Sequence, residues 1–321
     1  MFKENLKENM MRGWTKIALF ALFALTFLSP PLNAEEKPQF SPEERAFLID
    51  QFSDRFSSFY LTQVFEDQRL NKLDVIAERN VNNQETHRDY QDFHSPYSLF
   101  LAQRFEKKWR KTLVQASKKF EVDPEAVVAI LLVETGFGNV LGRYPVIGVF
   151  SSILVERETA KDRYPIDLSL SESEQYYLNK LDRKAKWAKE ELAALLELSQ
   201  KNQKSPYHYK GSYAGAFGLP QFLPSSYLKW GYDSDKSGSV NLFRFPDSIY
   251  STANYLKSHG WVKGLENQAN HEAVYHYNRS QPYVETVLKI AQKLRNKRGG
   301  LSASVALEMD ESVVKPPASG I

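Results

Sequence analysis

Val122-Asp123-Pro124-Glu125-Ala126-Val127-Val128-Ala129-Ile130-Leu131-Leu132-Val133-Glu134-Thr135-Gly136-Phe137-Gly138 is the stretch on which the reading of this chain turns. Asp123 stands where a helix N-cap is wanted, Pro124 suits the first helical position, and Glu125 complements the positive helix end. Residues 126–133 are apolar on every face, which marks a helix buried all round. Gly136 and Gly138 stop it. Glu134 therefore falls in the last turn of a buried helix, where desolvation and the negative end of the helix dipole both oppose ionisation. A carboxyl kept protonated there is a proton donor, and the two glycines leave open backbone for a ligand to approach. Read alone, the same residue also fits a helix-end Glu turned to water or paired with an arginine.

Working outward, the pattern on both sides is helical. Phe47, Leu48, Phe52 and Phe56 recur at three- and four-residue steps after Ser41. A polar stretch from Arg79 to His87 interrupts that pattern, and Ser95 to Phe120 reads as one long amphipathic helix. Downstream, Leu170–Gln200, Phe245–Lys257 and Glu272–Leu294 read as helices, Lys201–Lys210 as a polar linker, and Gly211–Pro224 as Gly-rich and irregular. The tail after Asn296 carries Gly, Ser and Pro and is expected to be disordered. There is no internal repeat and little alternation of the strand kind, so the class is mainly α.

Composition narrows the function. The chain has 321 residues, 42% hydrophobic and 25% charged, an ordinary globular balance. The net charge is +3, of which +2 sits in the first 34 residues, so no nucleic-acid partner is expected. The 17 Tyr and 20 Phe suit cores, and the tyrosines also suit a groove that stacks on sugar rings. Absence of cysteine excludes disulfides, thiolate metal sites, a thiol nucleophile and a lipid-modified N-terminal Cys. Lys3, Lys7, Arg12 and Lys16 precede the apolar run Ile17–Leu28, and Leu32-Asn33-Ala34 follows. That order predicts a signal peptide over residues 1–34 and a periplasmic or otherwise exported protein. An uncleaved membrane anchor is the other reading, and the run is short of the about 20 residues a spanning helix needs.

Three blocks together resemble the membrane-bound lytic transglycosylase B type family. They are Val122–Gly138, then Gly211-Ser212-Tyr213-Ala214-Gly215-Ala216-Phe217-Gly218-Leu219-Pro220-Gln221-Phe222-Leu223-Pro224-Ser225-Ser226-Tyr227, then Ala253-Asn254-Tyr255-Leu256-Lys257-Ser258-His259-Gly260-Trp261. A shorter match covers Tyr277-Asn278-Arg279-Ser280 and Tyr283. The resemblance implies a lysozyme-like helical domain over residues 90–295 with a deep substrate groove. An N-terminal helical segment precedes it at 35–89, and residues 296–321 form the tail. It implies cleavage of peptidoglycan glycan strands between N-acetylmuramic acid and N-acetylglucosamine, closing a 1,6-anhydromuramoyl end, with Glu134 as sole acid and base and no cofactor. It also places Ser212, Gln221, Tyr255, Asn278, Tyr283 and, more loosely, Tyr90 along the sugar groove. Two departures stand out: Leu219-Pro220 precede Gln221 where a small residue and Gly are frequent, and the charged 170–200 region lengthens the span between blocks. A hydrolytic muramidase and a non-catalytic peptidoglycan-binding scaffold are the competing readings. Protein partners are not legible.

Asp233-Ser234-Asp235-Lys236-Ser237-Gly238-Ser239 spaces oxygen ligands at alternate positions, and Asp247 stands where it would close the set. A structural calcium loop is one reading. Lys236, and Ser237 in place of a carboxylate, leave a polar Asx turn as the other.

Overall fold

Helix starts in this chain are written in serine and proline. Ser41 opens α1 (Pro42–Asp50) with a capping box: its hydroxyl accepts from the Glu44 amide, and the Glu44 carboxylate accepts from the Ser41 amide. Ser57 caps α2 (Ser58–Phe65), Ser95 caps α4 (Pro96–Lys108), and a second capping box, Ser171 with Glu174, opens α8 (Glu172–Lys201). The computed structural model describes residues 39–82, 86–164 and 170–311; the expected signal peptide lies outside them. No described helix is long and apolar enough to cross a membrane.

Two apolar cores organise these helices. The first joins α1, α2 and α3 (Asp74–Asn82) to α7 (Val146–Arg163) and α8. Leu48, Phe52, Leu61 and Phe65 meet Ile147, Phe150, Ile153, Leu192, Leu195 and Leu196 there. Buried Arg45 helps close this core by donating to the Phe40 and Phe65 carbonyls. The second core gathers α4, α5 (Arg110–Phe120), α10 (Phe245–Ser258), α11 (Ala269–Tyr277) and α12 (Gln281–Glu311) around α6 (Pro124–Thr135). Ala126 to Leu132 are all buried, as an all-apolar helix requires. Between the cores runs the Gly-rich block, pinned by β1 (Tyr144–Pro145) pairing antiparallel with β2 (Lys210–Gly211) and followed by α9 (Pro224–Trp230).

Several elements differ from the sequence reading. Phe52 is buried beyond the end of α1, in turns. Arg79–Asn82 belong to α3 rather than to an interruption; Asn80 is buried and spends its amide on the Ile76 and Tyr213 carbonyls. The Ser95–Phe120 helix breaks at Trp109 (φ −103°), whose ring packs 5.2 Å from Phe245. Asn278 (φ −139°) likewise separates α11 from α12. Asp123 is not an N-cap by hydrogen bonding: its carboxylate accepts from Trp261 Nε1, the Gly264 amide and Arg295, so tertiary donors claim the oxygens a cap would use. The charged 170–200 region, read as lengthening the span between blocks, puts its second half into the first core, where Leu192, Leu195, Leu196 and Leu198 are buried. The boundary at residue 90 is crossed by the first core, which takes α7 and α8 from beyond it. Finally, α12 continues to Glu311, so 296–311 are helical where a disordered tail was expected, and Ala, Leu and Met favour that; residues 312–321 lie outside the described part.

Candidate active site

Glu134 sits half-buried in the last turn of α6. Gly136 ends the helix in the left-handed conformation (φ +55°), its amide bonded back to Leu132. The Tyr283 hydroxyl, from the first turn of α12, donates to Glu134 Oε1 at 2.6 Å. Burial first, and then the negative charge of Glu134, push the Tyr283 phenol well above its ordinary 10, so it stays a donor. Tyr277 is pushed up by the same two causes and donates to the Pro220 carbonyl at 2.6 Å. Tyr255 is also raised by burial and donates to the His276 carbonyl at 2.7 Å. The rings of Tyr277 and Tyr283 lie 6.4 Å apart and nearly parallel, with Tyr255 edge-on to Tyr277 at 4.7 Å and Tyr90 edge-on to Tyr283 at 6.0 Å. The carboxylate thus stands against a wall of neutral phenols.

The Gly-rich block is locked to the end of α6. Thr135 Oγ1 donates to the Leu219 carbonyl at 2.9 Å and accepts from the Gly138 amide. Gly142 (φ +81°) presses on Gly211 so closely that a Cβ would lie 2.2 Å from the Gly211 carbonyl oxygen. Gln221 takes a left-handed φ of +48°, uncommon for a residue with a side chain, directly after Pro220. Its Nε2 donates to the Gly218 carbonyl at 2.8 Å and the Leu141 carbonyl at 3.3 Å.

Of the residues expected in the groove, Tyr283 touches Glu134, and Tyr90 packs on Tyr283. Tyr255 is 7% exposed, its hydroxyl spent inside, so it braces Tyr277 rather than offering a face. Ser212 closes its own turn, accepting from the Ala216 amide, and Asn278 is half-buried at the end of α11. Sequence reasoning left Tyr277 out of the site, although it stands in the same short match as Asn278. Its helix position did not reveal that its hydroxyl would hold the Pro220 carbonyl. A cavity of about 630 Å³ lies elsewhere, between α3, α7 and α8, lined by Glu78, Ser152, Glu156 and Tyr177 among others.

The acidic loop is folded on itself. Oxygens of Asp233, Asp235 and Asp247 lie within 4.8 Å of one another, an all-oxygen set that fits a calcium ion. Asp233 accepts from the Ser237 and Gly238 amides, and Ser237 Oγ also donates to the Ser239 carbonyl. Asp247, 2% exposed, accepts from the Ser234 amide and hydroxyl and from the Asn241 amide. Arg244 pairs with Asp235 at 3.0 Å.

Comparison with known proteins bears on this geometry. The sequence model of a family described as the transglycosylase SLT domain matches residues 39–269. The membrane-bound lytic murein transglycosylase B of Escherichia coli K12 is 35% identical over 160 residues, which cover 50% of this chain and 38% of that protein. The match therefore spans well under half of that relative's length. Among solved structures, the soluble lytic transglycosylase SltB1 of Pseudomonas aeruginosa superposes with a TM-score of 0.65 at 24% identity, over 80% of this chain and 100% of that one. An Escherichia coli lytic transglycosylase solved in complex with calcium does so with a TM-score of 0.65 at 21% identity, over 85% and 99%. Both share the fold described above.

Proposed function

Because the chain belongs to the transglycosylase SLT domain family, we propose that it is a peptidoglycan lytic transglycosylase with Glu134 as its acid and base. The observation that carries this reading is the Glu134 carboxyl at the end of a helix buried from Ala126 to Leu132, held through Oε1 by the Tyr283 hydroxyl. Glu134 protonates the oxygen between N-acetylmuramic acid and N-acetylglucosamine, and that bond to C1 breaks as the substrate's acetamido oxygen attacks C1. The Glu134 carboxylate then takes the proton of the muramoyl 6-hydroxyl, whose oxygen closes on C1 and releases the acetamido group. The substrate supplies the second nucleophile, so the carboxylate pair of most glycosidases is not needed. Gln221, its amide nitrogen committed to the loop, meets the N-acetyl group through its oxygen. No cofactor takes part. A calcium ion held by Asp233, Asp235 and Asp247, with Ser237 and Ser239, would supply charge that ties the loop to α10. The protein works outside the cytoplasm, as its N-terminal segment implies.

The test is mass spectrometry of fragments released from purified sacculi. Mainly 1,6-anhydromuramoyl ends, each one water lighter than a hydrolysed end, are expected; reducing muramic acid ends throughout would make the protein a muramidase.

A further inference from the structure

Residues 104–119, from the end of α4 through α5, carry seven basic side chains and one acid. That is +6 on a chain whose net charge is +3, so the rest of the chain sums to −3. All seven cations are exposed, and the ion pairs of the described residues use none of them. The acid, Glu106, is half-buried.

Helix chemistry accounts for four of the seven. Lys107 and Lys108 stand in the last turn of α4, and Lys118 and Lys119 in the last turn of α5, where the helix dipole favours a cation. Arg110 and Lys111 open α5, where the dipole opposes one. Arg104 precedes Lys107 and Lys108 by three and four residues, a spacing at which like charges destabilise a helix. Apolar side chains are set among these charges. On α4, exposed Tyr97 and Phe100 lead into Arg104 and Lys108 at three- and four-residue steps, on the other side from buried Ser98, Ala102 and Phe105. Phe100 is 50% exposed, and the Arg104 guanidinium lies 5.7 Å from its ring centre. On α5, Val114 is 56% exposed, four residues from Arg110 and four from Lys118, while Leu113 and Ala116 are buried.

We propose that the exposed side of α4 and α5 docks on a bilayer of anionic phospholipid. Its cations meet the lipid phosphates, and the apolar side chains between them enter the headgroup layer. A hydrated polyanion would use the charges and leave Phe100 and Val114 in water. The chain has no cysteine to carry a thioether-linked lipid, so this face is a non-covalent contact. The buried sides of the same helices pack in the core around α6, and Phe105 stacks on Phe137 at 4.2 Å, three residues past Glu134. Docking therefore holds the helix that bears Glu134 close to the lipid surface.

The experiment is co-sedimentation with vesicles of phosphatidylcholine alone or of an equal mixture with phosphatidylglycerol. The protein is used as recovered after export, and any N-terminal segment that it retains is the same in every variant. The ratio of anionic to neutral affinity is expected to exceed about tenfold in the wild type. Lys111→Gln should lower that ratio about fivefold, and Lys107→Gln, Lys108→Gln, Arg110→Gln and Lys111→Gln combined should lower it by about tenfold or more. The melting temperature of the combined variant should equal or exceed wild type, because it loses like-charge repulsion. A control with Lys186→Gln, Lys201→Gln, Lys204→Gln and Lys210→Gln, four exposed lysines outside α4 and α5, has the same net charge and should keep the wild-type ratio. Phe100→Ser should weaken binding to anionic vesicles about threefold. A ratio unchanged in the combined α4–α5 variant, or lowered equally in the control, overturns the docking face. If Phe100→Ser leaves vesicle binding unchanged and soluble polyphosphate displaces the protein from vesicles at equal charge concentration, the face binds anionic polymers and the bilayer assignment is wrong.

Discussion

Asp247 and Glu134 are both carboxylates at helix ends, and the fold treats them in opposite ways. Asp247 sits in the first turn of α10, where the helix dipole favours its charge, and its donors come from Ser234 and Asn241, at most 13 residues away. Glu134 sits in the last turn of α6, where the dipole opposes its charge, and its phenol donor comes from 149 residues away. Asp247 is 2% exposed and surrounded by polar hydrogens, whereas Glu134 is half-buried beside a wall of phenols. A carboxylate saturated by local backbone holds a loop together. One that sits half-buried against its helix dipole and is reached by a distant side chain is placed to exchange a proton.

Substitutions separate the two roles. Glu134→Gln preserves shape and removes the transferable proton, so lytic activity on sacculi should fall roughly 10³-fold while the melting temperature stays near wild type. Wild-type turbidity loss by this variant would end the assignment of Glu134. Asp247→Ala should do the opposite. Orphaning the two amides and the hydroxyl that it accepts should cost about 3 kcal/mol of stability by urea denaturation, with kcat retained in the folded fraction. Comparable losses of stability in both variants would erase the distinction drawn above.

Tyr283→Phe tests how far the tertiary donor matters. Loss of one hydrogen bond to a charged group, worth about 2 kcal/mol, predicts a kcat lowered about 30-fold with little change in KM. An unchanged kcat would reduce Tyr283 to packing. Calcium probes the other end of the comparison: if Asp233, Asp235 and Asp247 take the ion, saturation at about ten times its Kd adds about 1.4 kcal/mol, visible as a melting shift of a few degrees. No shift at millimolar calcium, or one that survives Asp235→Ala, would leave the loop as a polar turn.

The smallest effect concerns a third carboxylate. Glu191 on α8 is 5% exposed and accepts from the Ser225 amide and hydroxyl at the start of α9. Burial outweighs those bonds and lifts its pKa above the ordinary 4.5. A raised folded pKa favours the protonated form, so its stabilising contribution is present below about pH 4.5 and is lost as pH rises through the folded value. Glu191→Gln should therefore flatten the pH dependence of stability above pH 4.5 and leave stability at pH 7 equal or slightly higher. A marked loss at pH 7 would show that the charge caps α9 more strongly than its burial opposes it.

Much of the second core was legible in the linear pattern. The apolar run over residues 126–133, set between Pro124 and Gly136, reads as a buried helix, and helix ends marked by Ser-Pro and Gly are local chemistry. Breaks at Trp109 and Asn278 were not legible, because neither residue forbids a helix; packing against Phe245 and the step from α11 to α12 decide them. The same limit applied to Asp123, whose N-cap role is a local option that Trp261, Gly264 and Arg295 displace. Sequence alone determined that Glu134 ends a buried helix, that a Gly-rich block follows it, and that two acids and three serines share the loop from Asp233 to Ser239. Only the tertiary structure decided that Tyr283 reaches Glu134, that Tyr255 turns inward to brace Tyr277, and that Arg79 lies over Tyr213. Helix periodicity fixes which face a residue occupies, but partners more than 100 residues away are chosen by how the two cores pack together.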